Sequence, residues 1–331
     1  MIIEQRAFAR AGLLGNPSDG YFGKTISIIV RNFSAHVSLY ESPELHIEHQ
    51  VEDINVYRNI YHLVESVQQT GYYGGARLLK AAIKTFFEYC MAHGFKFSHK
   101  NFTIRYRTSI PRQVGLAGSS AIITATMRAL MHFYDIEIPP EMMPNIVLSA
   151  ETNELGINAG LQDRVIQTYE GCVYMNFDKA LMRSKGHGDY ERLDPDKLPK
   201  LFIAYRTDLS KVSGKVLNTV RARWEKNDPE VIETLNRIAE IAEEGKSAIQ
   251  NRRYKVLHDL MNENFECRAK IMTITDPNRN LVNTARQCGA SAKFTGSGGS
   301  IIGIYNDDAM LNKLAVELKK VNARVIKPYI L

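Results

Sequence analysis

The chain has 331 residues, of which 44% are hydrophobic and 24% are charged, as is typical of a globular protein with substantial cores. This length predicts two domains. The net charge is +6, yet lysine and arginine are dispersed along the chain. Because no basic cluster or nucleic-acid motif accompanies the charge, we expect no nucleic-acid partner.

The sequence also lacks signals for export, membrane insertion and structural metals. Its four cysteines are far apart and form no C-x-x-C pair, which predicts buried thiols in a reducing compartment. The histidines show no zinc-site spacing. We see no signal peptide and no long apolar run, so we expect a cytoplasmic protein with no membrane contact.

In chain order, the first half predicts short strands joined by helices. The strands are expected at 4–10, 25–31, 35–41, 45–50, 101–107 and 171–177, with a loop at 12–24. Helices are expected near 54–70 and 74–93, from Pro140 to near Gly156, and from Leu161.

The second half begins after residues 178–200, whose Lys, Gly, Asp and Pro content predicts a linker. A strand is expected at 201–206, and Asp228-Pro229 is typical of a capped helix start. A further helical stripe includes Leu257, Leu260, Met261, Asn264, Phe265 and Arg268, and is interpreted mostly as a core face. The order helix–strand–loop–strand–helix–strand follows, to Ile326. Helices segregated onto sheets predict an α+β chain in two lobes.

The most informative run is PRQVGLAGSSA at 111–121, which leads directly into a helical pattern. Gly115 and Gly118 allow close approach of the backbone to a ligand. Ser119 and Ser120 are good N-cap residues. Free N–H groups and the positive end of the helix dipole would face a bound anion, so the run predicts a phosphate cradle.

A second glycine-rich run, KFTGSGGSIIGIY at 293–305, predicts a tight loop between two strands. Its consecutive small residues indicate close approach of another backbone or of a ligand. Neither run is a Walker loop, and no dinucleotide fingerprint is completed, because Ile301 occupies the place of the third glycine. A dehydrogenase is therefore disfavoured.

Two acidic residues lie between these runs. Glu151 and Asp163 are the carboxylates best suited to metal binding and proton abstraction. Asp163 is expected at the start of a helix beside Arg164, where a cation and the helix dipole keep a carboxylate ionised.

Together with FARAGLLGNPSDGYFGK at 8–24, these motifs resemble the GHMP kinases, a superfamily of sugar, mevalonate and homoserine kinases. The motifs are colinear and cover essentially the whole chain, and they most resemble the glucuronokinase branch. The resemblance implies an N-terminal α/β nucleotide-binding domain at 1–195 and a C-terminal ferredoxin-like domain at 196–331, with the active site between them.

The resemblance also implies roles for individual residues. It assigns catalysis to Asp163 and Arg10, and Mg²⁺ binding to Ser120 and Glu151. The loop around the nucleotide phosphates is Pro111, Gly115, Leu116, Ala117, Gly118, Ser119, Ser120 and Ala121. The substrate-binding residues are expected to be Asn16, Asp19, Lys24, Gly160, Gln162, Gly296 and Gly298.

The implied reaction is ATP- and Mg²⁺-dependent phosphorylation of the anomeric hydroxyl of glucuronate, by a monomer or homodimer. Galactose-type kinases have E-H-T-D where this chain has Asn16-Pro17-Ser18-Asp19, and the lost acidic residue suits an anionic substrate. Lys24 and Arg77 are candidates for its carboxylate, and Tyr72, Tyr73 and Asn55 for the adenine pocket. A heptose, fucose or galactose kinase, or an inactive sugar-binding relative, remains an alternative.

Overall fold

The computed structural model describes residues 2–48, 75–98, 100–208 and 215–330, with the backbone alone at 215–219. The predicted helix at 54–70 and the adenine-pocket candidates Asn55, Tyr72 and Tyr73 lie outside these residues. Within them, no helix is both long enough and apolar enough to cross a membrane.

The first half forms a six-stranded sheet in the described part of the chain, antiparallel except where β3 meets β4. Its strands are β1 (Ile2–Leu14), β2 (Lys24–Ser42), β3 (His46–Ile47), β4 (Asn101–Thr108), β5 (Cys172–Asn176) and β6 (Asp189–Leu193). Its α-helices are α1 (Gly75–Ala92), α2 (Gly118–Tyr134), α3 (Met143–Ser149), α4 (Gln162–Tyr169) and α5 (Lys179–Lys185). Helix α3 continues as a π-helical turn at Ala150–Glu154, and a 3₁₀ turn at Ser18–Tyr21 follows β1.

The strands β1 and β2 are longer than the sequence pattern predicts. The pairing of β1 with β2 shifts register at Phe8/Ala9 and at Gly12/Leu14 but continues past both positions, so that β1 reaches Leu14. The predicted separate strands at 25–31 and 35–41 are one strand. The predicted loop at 12–24 is therefore shorter, and we call residues 15–23 the N-terminal loop.

Residues 178–200 are not a linker, and that prediction is wrong. Asp178 caps α5 by accepting from the N–H groups of Ala180 and Leu181. Strand β6 pairs with β5 at the edge of the sheet. The segment is polar because a helix with no buried residue and a mostly exposed edge strand need little apolar surface.

The described residues of the second half form a four-stranded antiparallel sheet in the order β10-β7-β9-β8, with the strands numbered along the chain. The strands are β7 (Leu201–Arg206), β8 (Lys293–Phe294), β9 (Ser300–Ile304) and β10 (Ala323–Ile326). The helices are α6 (Lys215–Glu225), α7 (Pro229–Gln250), α8 (Tyr254–Ile271), α9 (Asp276–Gln287) and α10 (Asp308–Lys320). This strand order, with helices before β8 and between β9 and β10, is the predicted ferredoxin-like arrangement.

The two halves share a hydrophobic core. Ile238 and Ile241 of α7 belong to the same buried cluster as β1 and β2, and Gly245 lets α7 approach Leu14 closely. The α+β prediction is confirmed, while the boundary between domains at residue 195 stays a prediction. All four cysteines are buried free thiols, as expected.

Candidate active site

The end of β1 lies between the two glycine loops that the sequence singled out. We call residues 111–117 the first glycine loop and residues 295–299 the second. The backbone N–H of Arg10 donates to the carbonyl of Leu116 at 3.2 Å, and that of Gly12 donates to the carbonyl of Thr295 at 2.8 Å. One strand of the first half is thereby bonded to a loop from each half of the chain.

The first glycine loop ends at the N-terminus of α2. Gln113, Gly115 and Ala117 all have left-handed backbone conformations, with φ of 58°, 72° and 61°. Ala117 is the N-cap and makes no side-chain cap, so Ser119 and Ser120 lie inside the first turn and their predicted capping role is wrong. The first N–H groups of α2 therefore have no acceptor within the helix.

Burial divides the loop residues into a surface and its support. Pro111, Gly115, Ala117, Gly118 and Ser119 are partly exposed and form the surface of this segment. The buried residues behind it are Leu116, Ser120 and Ala121. The 17-residue helix α2 directs its positive end at this surface.

The glycines of the two loops are needed mainly because the loops contact each other. A Cβ at Gly296 would lie 2.4 Å from the carbonyl oxygen of Gly115, and one at Gly115 would lie 2.9 Å from that of Gly298. The hydroxyl of Thr295 also donates to the Gly115 carbonyl at 3.1 Å. The small residues of the second run were expected to allow close approach of either another backbone or a ligand. At Gly296 the close neighbour is the backbone of Gly115.

The predicted catalytic pair is in direct contact. Arg10 Nε donates to Asp163 Oδ1 at 2.6 Å, and Arg164 Nη1 lies 3.4 Å from Asp163 Oδ2. Burial alone would raise the pKa of Asp163, but the two guanidinium groups outweigh it and hold that pKa below its usual value. Asp163 is therefore ionised at neutral pH, in the first turn of α4.

Asp19 faces the same helix from the N-terminal loop. Its carboxylate accepts from the backbone N–H of Gln162 at 3.3 Å and from Gln162 Nε2 at 3.2 Å. A Cβ at Gly160 would lie 2.0 Å from Asp19 Oδ2, so a side chain there would displace the Asp19 carboxylate. Burial, together with the negative charge of Asp163, raises the pKa of Asp19 to about 6.

The predicted metal pair is only partly brought together. Glu151 is fully buried, and one of its carboxylate oxygens accepts from Ser119 Oγ at 2.7 Å while the other pairs with Arg164 Nη2. Ser120 turns away and donates to the carbonyl of Ala117 at 3.2 Å. Successive helical residues point about 100° apart, so Ser119 replaces Ser120 as the hydroxyl beside Glu151.

Lys24 has a carboxylate partner in the protein itself. Its Nζ lies 2.6 Å from Glu243 Oε2 of α7, and the same oxygen accepts from the hydroxyl of Tyr174. These hydrogen bonds, first that of Lys24, lower the pKa of Glu243. Arg77 is exposed near the start of α1. The Lys24 charge is thus already engaged by a protein carboxylate.

Lys293, which contacts Asn16, and Arg268 are two site residues that the sequence analysis missed. The Asn16 amide is buried, donates to the carbonyl of Phe294 at 3.3 Å, and accepts from Lys293. Arg268 of α8 lies close by, with Nη1 donating to the carbonyl of Gly296 at 2.7 Å. The signal for Arg268 was a charged residue within an apolar helical stripe, which the core-face interpretation passed over.

Comparisons with known proteins agree with this geometry. Residues 77–171 match the family described as GHMP kinases N terminal domain, and residues 246–324 match GHMP kinases C terminal. Glucuronokinase 1 of Arabidopsis thaliana is 45% identical over 306 residues, which cover 91% of this chain and 84% of that protein. Probable glucuronokinase 2 of the same species is 43% identical over 99% of this chain and 91% of its own length. Among solved structures, the Lin0012 protein from Listeria innocua matches with a TM-score of 0.81 at 16% identity, over 99% of this chain and 98% of that one. This last likeness concerns the fold alone.

Proposed function

The chain belongs to the GHMP kinases, and we propose that it transfers the γ-phosphoryl group of ATP to the anomeric hydroxyl of D-glucuronate. The products are 1-phospho-D-glucuronate and ADP. The observation that most supports this reaction is the ionised Asp163, held by Arg10 and Arg164 beside the N-terminus of α2. The substrate comes from the likeness to the two Arabidopsis proteins.

Asp163 supplies the acceptor for the sugar hydroxyl. The hydroxyl oxygen forms a bond to the γ-phosphorus as the bond from that phosphorus to the bridging oxygen of ADP breaks. A carboxylate with a lowered pKa is a weak base, so Asp163 first orients the hydroxyl through a hydrogen bond. It takes the proton only as the new bond forms, and the acidity of an anomeric hydroxyl makes this sufficient.

The first glycine loop fits the phosphates of ATP. Its backbone is left-handed at Gln113, Gly115 and Ala117, and the loop leads directly into the N-terminus of α2. The unpaired N–H groups at the start of α2 and the helix dipole favour negative charge at the same place. Arg10, which also bonds to the carbonyl of Gly115 at 2.9 Å, adds a cation between the cradle and Asp163.

Ser119 and Glu151 fit Mg²⁺ better than the pair expected from sequence. A hydroxyl and a carboxylate are hard oxygen donors, and Mg²⁺ takes one or two such groups together with phosphates and water. Arg164 binds the far oxygen of Glu151 and fixes the carboxylate in place. When bound, the metal would neutralise charge on the transferred phosphoryl group.

Asp19 is suited to the hydroxyls of the sugar ring. It is bound by both the backbone and the side chain of Gln162, the residue that precedes Asp163 in α4. When it is ionised, a carboxylate is an acceptor only, so both of its oxygens can accept hydrogen bonds from sugar hydroxyls. The sugar would therefore span from Asp163 at the anomeric centre to Asp19 in the N-terminal loop.

An assay of ADP release from ATP over a sugar panel tests this function. The panel contains glucuronate, glucuronamide, glucose, galactose, fucose, a heptose phosphate and mevalonate, and ³¹P NMR identifies the phosphorylated position. We expect glucuronate to have the highest kcat/KM and to give a 1-phosphate. Preference for any other member of the panel, or no turnover with correct ATP binding, would contradict the proposal.

A further inference from the structure

Two buried cations behind the N-terminal loop have no carboxylate partner among the residues that the structure describes. Arg268 and Lys293 are 4% and 2% exposed, and neither forms an ion pair there. By contrast, Arg10 pairs with Asp163, and Arg164 pairs with Glu151. Because an isolated buried charge is costly, an unpaired buried cation indicates that an anion binds beside it.

Helix α8 directs Arg268 towards the N-terminal loop, where the sugar is proposed to bind. Asn264, one turn earlier on the same face, accepts from the backbone N–H of Gly15 at 2.9 Å and donates to the carbonyl of Asn16 at 3.3 Å. Positions i and i+4 of a helix lie one above the other. Arg268 therefore faces the N-terminal loop, which contains Asp19.

One edge of the buried Arg268 guanidinium lacks a hydrogen-bond partner among the described residues. Its Nη1 donates to the carbonyl of Gly296, and the group lies 5.2 Å from the centre of the Phe294 ring. Its Nε is buried and has no hydrogen-bond partner in the described residues. A Cβ at Gly296 would also lie 3.0 Å from Arg10 Nη2, so the two guanidinium groups flank the same glycine.

Lys293 adds charge without offering a free donor. Its ammonium donates to the carbonyls of Gly12 and Phe294 at 2.8 and 2.9 Å, and to Asn16 Oδ1. All three protons are therefore used within the protein. Burial and repulsion from Arg10 lower the pKa of Arg268 to about 10, against the opposing effect of the Asp19 charge, and burial with repulsion from Arg268 and Arg10 lowers the pKa of Lys293.

We propose that Arg268 binds the carboxylate of the sugar substrate through its free Nε–H edge, with Lys293 as a fixed neighbouring charge. This inference rests on the proposed function and names the residue that selects an acidic sugar over a neutral one. A guanidinium matches a carboxylate in geometry as well as in charge. Arg268 replaces Lys24 in this role, because the charge of Lys24 is engaged by Glu243.

The experiment compares Arg268→Met with the intact protein on glucuronate, its uncharged amide glucuronamide, and glucose. Loss of a charged hydrogen bond should lower kcat/KM for glucuronate by about 10- to 150-fold. The weak turnover of glucuronamide and glucose, and the KM for ATP, should stay nearly unchanged. Arg268→Lys, which keeps the charge but not the planar donor edge, should recover part of the loss.

Arg286→Met is the matched control. Arg286 also stacks on an aromatic ring, 5.0 Å from the centre of Phe265, but it has its own partner in Glu266. The Arg286→Met substitution should leave the relative kcat/KM values of the three sugars unchanged. Isothermal titration of glucuronate in the presence of a non-hydrolysable ATP analogue gives a second readout, and Arg268→Met should weaken this binding by the same factor.

Each other outcome overturns the inference. If kcat/KM falls by the same factor for all three sugars, Arg268 acts on the phosphoryl group or stabilises the fold. If glucuronate turnover is unchanged in a folded Arg268→Met protein, the carboxylate binds elsewhere. If Arg268→Met does not fold, Arg268→Lys must lose glucuronate selectively, and an equal loss on all sugars refutes the proposal. Intact protein that phosphorylates only neutral sugars contradicts the proposed function as well, so the two failures are distinguishable.

Discussion

Arg10 Nε and Asp163 Oδ1 are 2.6 Å apart, although 153 positions separate the two residues along the chain. Arg10 reaches this position because β1 passes between the glycine loops, and its Nη1 donates to the carbonyls of both Gly115 and Thr295. One side chain therefore connects the carboxylate, the cradle and the second glycine loop. This connection explains how the site keeps Asp163 ionised and in place.

Replacing Asp163 by Asn should keep the fold and remove the chemistry. The amide keeps the size of the side chain but cannot accept a proton, so we expect turnover to fall by at least about 100-fold. ATP binding should be nearly unchanged, since the asparagine amide oxygen can still accept from Arg10 and keep it beside the cradle. Steady-state kinetics and ATP titration measure the two effects. Near-normal turnover in a folded mutant would exclude Asp163 from the reaction.

Asp19 should give the activity an acidic limb. Its pKa of about 6 means that the carboxyl takes a proton as the pH falls through 6, and it then no longer accepts as a carboxylate from sugar hydroxyls. Arg10 and Arg164 hold the pKa of Asp163 low, so Asp163 stays ionised over this range. We expect kcat/KM for the sugar to decrease below about pH 6.

The stability of the fold should depend on pH in the opposite direction from the activity. Because the folded pKa of Asp19 is higher than its ordinary value of 3.8, the folded state holds this proton more tightly, and its contribution to stability is lost as the pH rises from about 4 to 6. Urea unfolding of the intact protein and Asp19→Asn at pH 5 and 7.5 measures this. The intact protein should lose stability relative to the mutant as the pH rises, and parallel curves would contradict the assignment.

Ser119 and Ser120 should separate metal binding from structure. Ser119→Ala removes the hydroxyl beside Glu151, so a higher Mg²⁺ concentration should be needed for half-maximal rate. Ser120→Ala removes a buried hydroxyl that bonds to Ala117, so it should lower stability by about 1 kcal/mol and leave the Mg²⁺ titration unchanged. The reverse pattern would restore Ser120 as the metal-binding residue.

Gly296 should not accept a side chain. A Cβ there would lie 2.4 Å from the Gly115 carbonyl oxygen, which is a backbone atom that cannot rotate away. Gly296→Ala should therefore separate the loops, lower stability by about 1–3 kcal/mol and reduce activity. Gly20→Ala is the control, since a Cβ at Gly20 meets nothing within 4 Å. Equal melting temperatures for the two mutants would show that the loops can move apart freely.

Lys24→Met should have little effect on the choice of sugar. The lysine is about one-third exposed and pairs with Glu243 on the surface of α7. Surface ion pairs are worth at most about 1 kcal/mol, so kcat/KM for glucuronate relative to glucose should change by less than about fivefold. A selective decrease in kcat/KM for glucuronate would indicate that Lys24 binds the substrate carboxylate, and it would count against Arg268.

The local features of this protein follow from its sequence. Glycines, capping residues and apolar spacing act over a few positions, so they predicted the start of α7 at Asp228-Pro229, the glycine loop before α2, and Asp163 in the first turn of α4. The colinear motifs likewise indicated the GHMP kinase family.

Only the tertiary structure decided which side chains share the site. The polar composition of 178–200 resembles a linker because an edge strand and an exposed helix need few apolar residues. Ser119 and Ser120 are neighbours in the first turn of α2, and only the packing of that helix decides which hydroxyl lies beside Glu151. Arg268 lies within an apolar stripe, and its meaning depends on the N-terminal loop, about 250 positions away, which packs against the same face of α8 through Asn264. Such contacts depend on how distant segments pack, and no local pattern of residues encodes them.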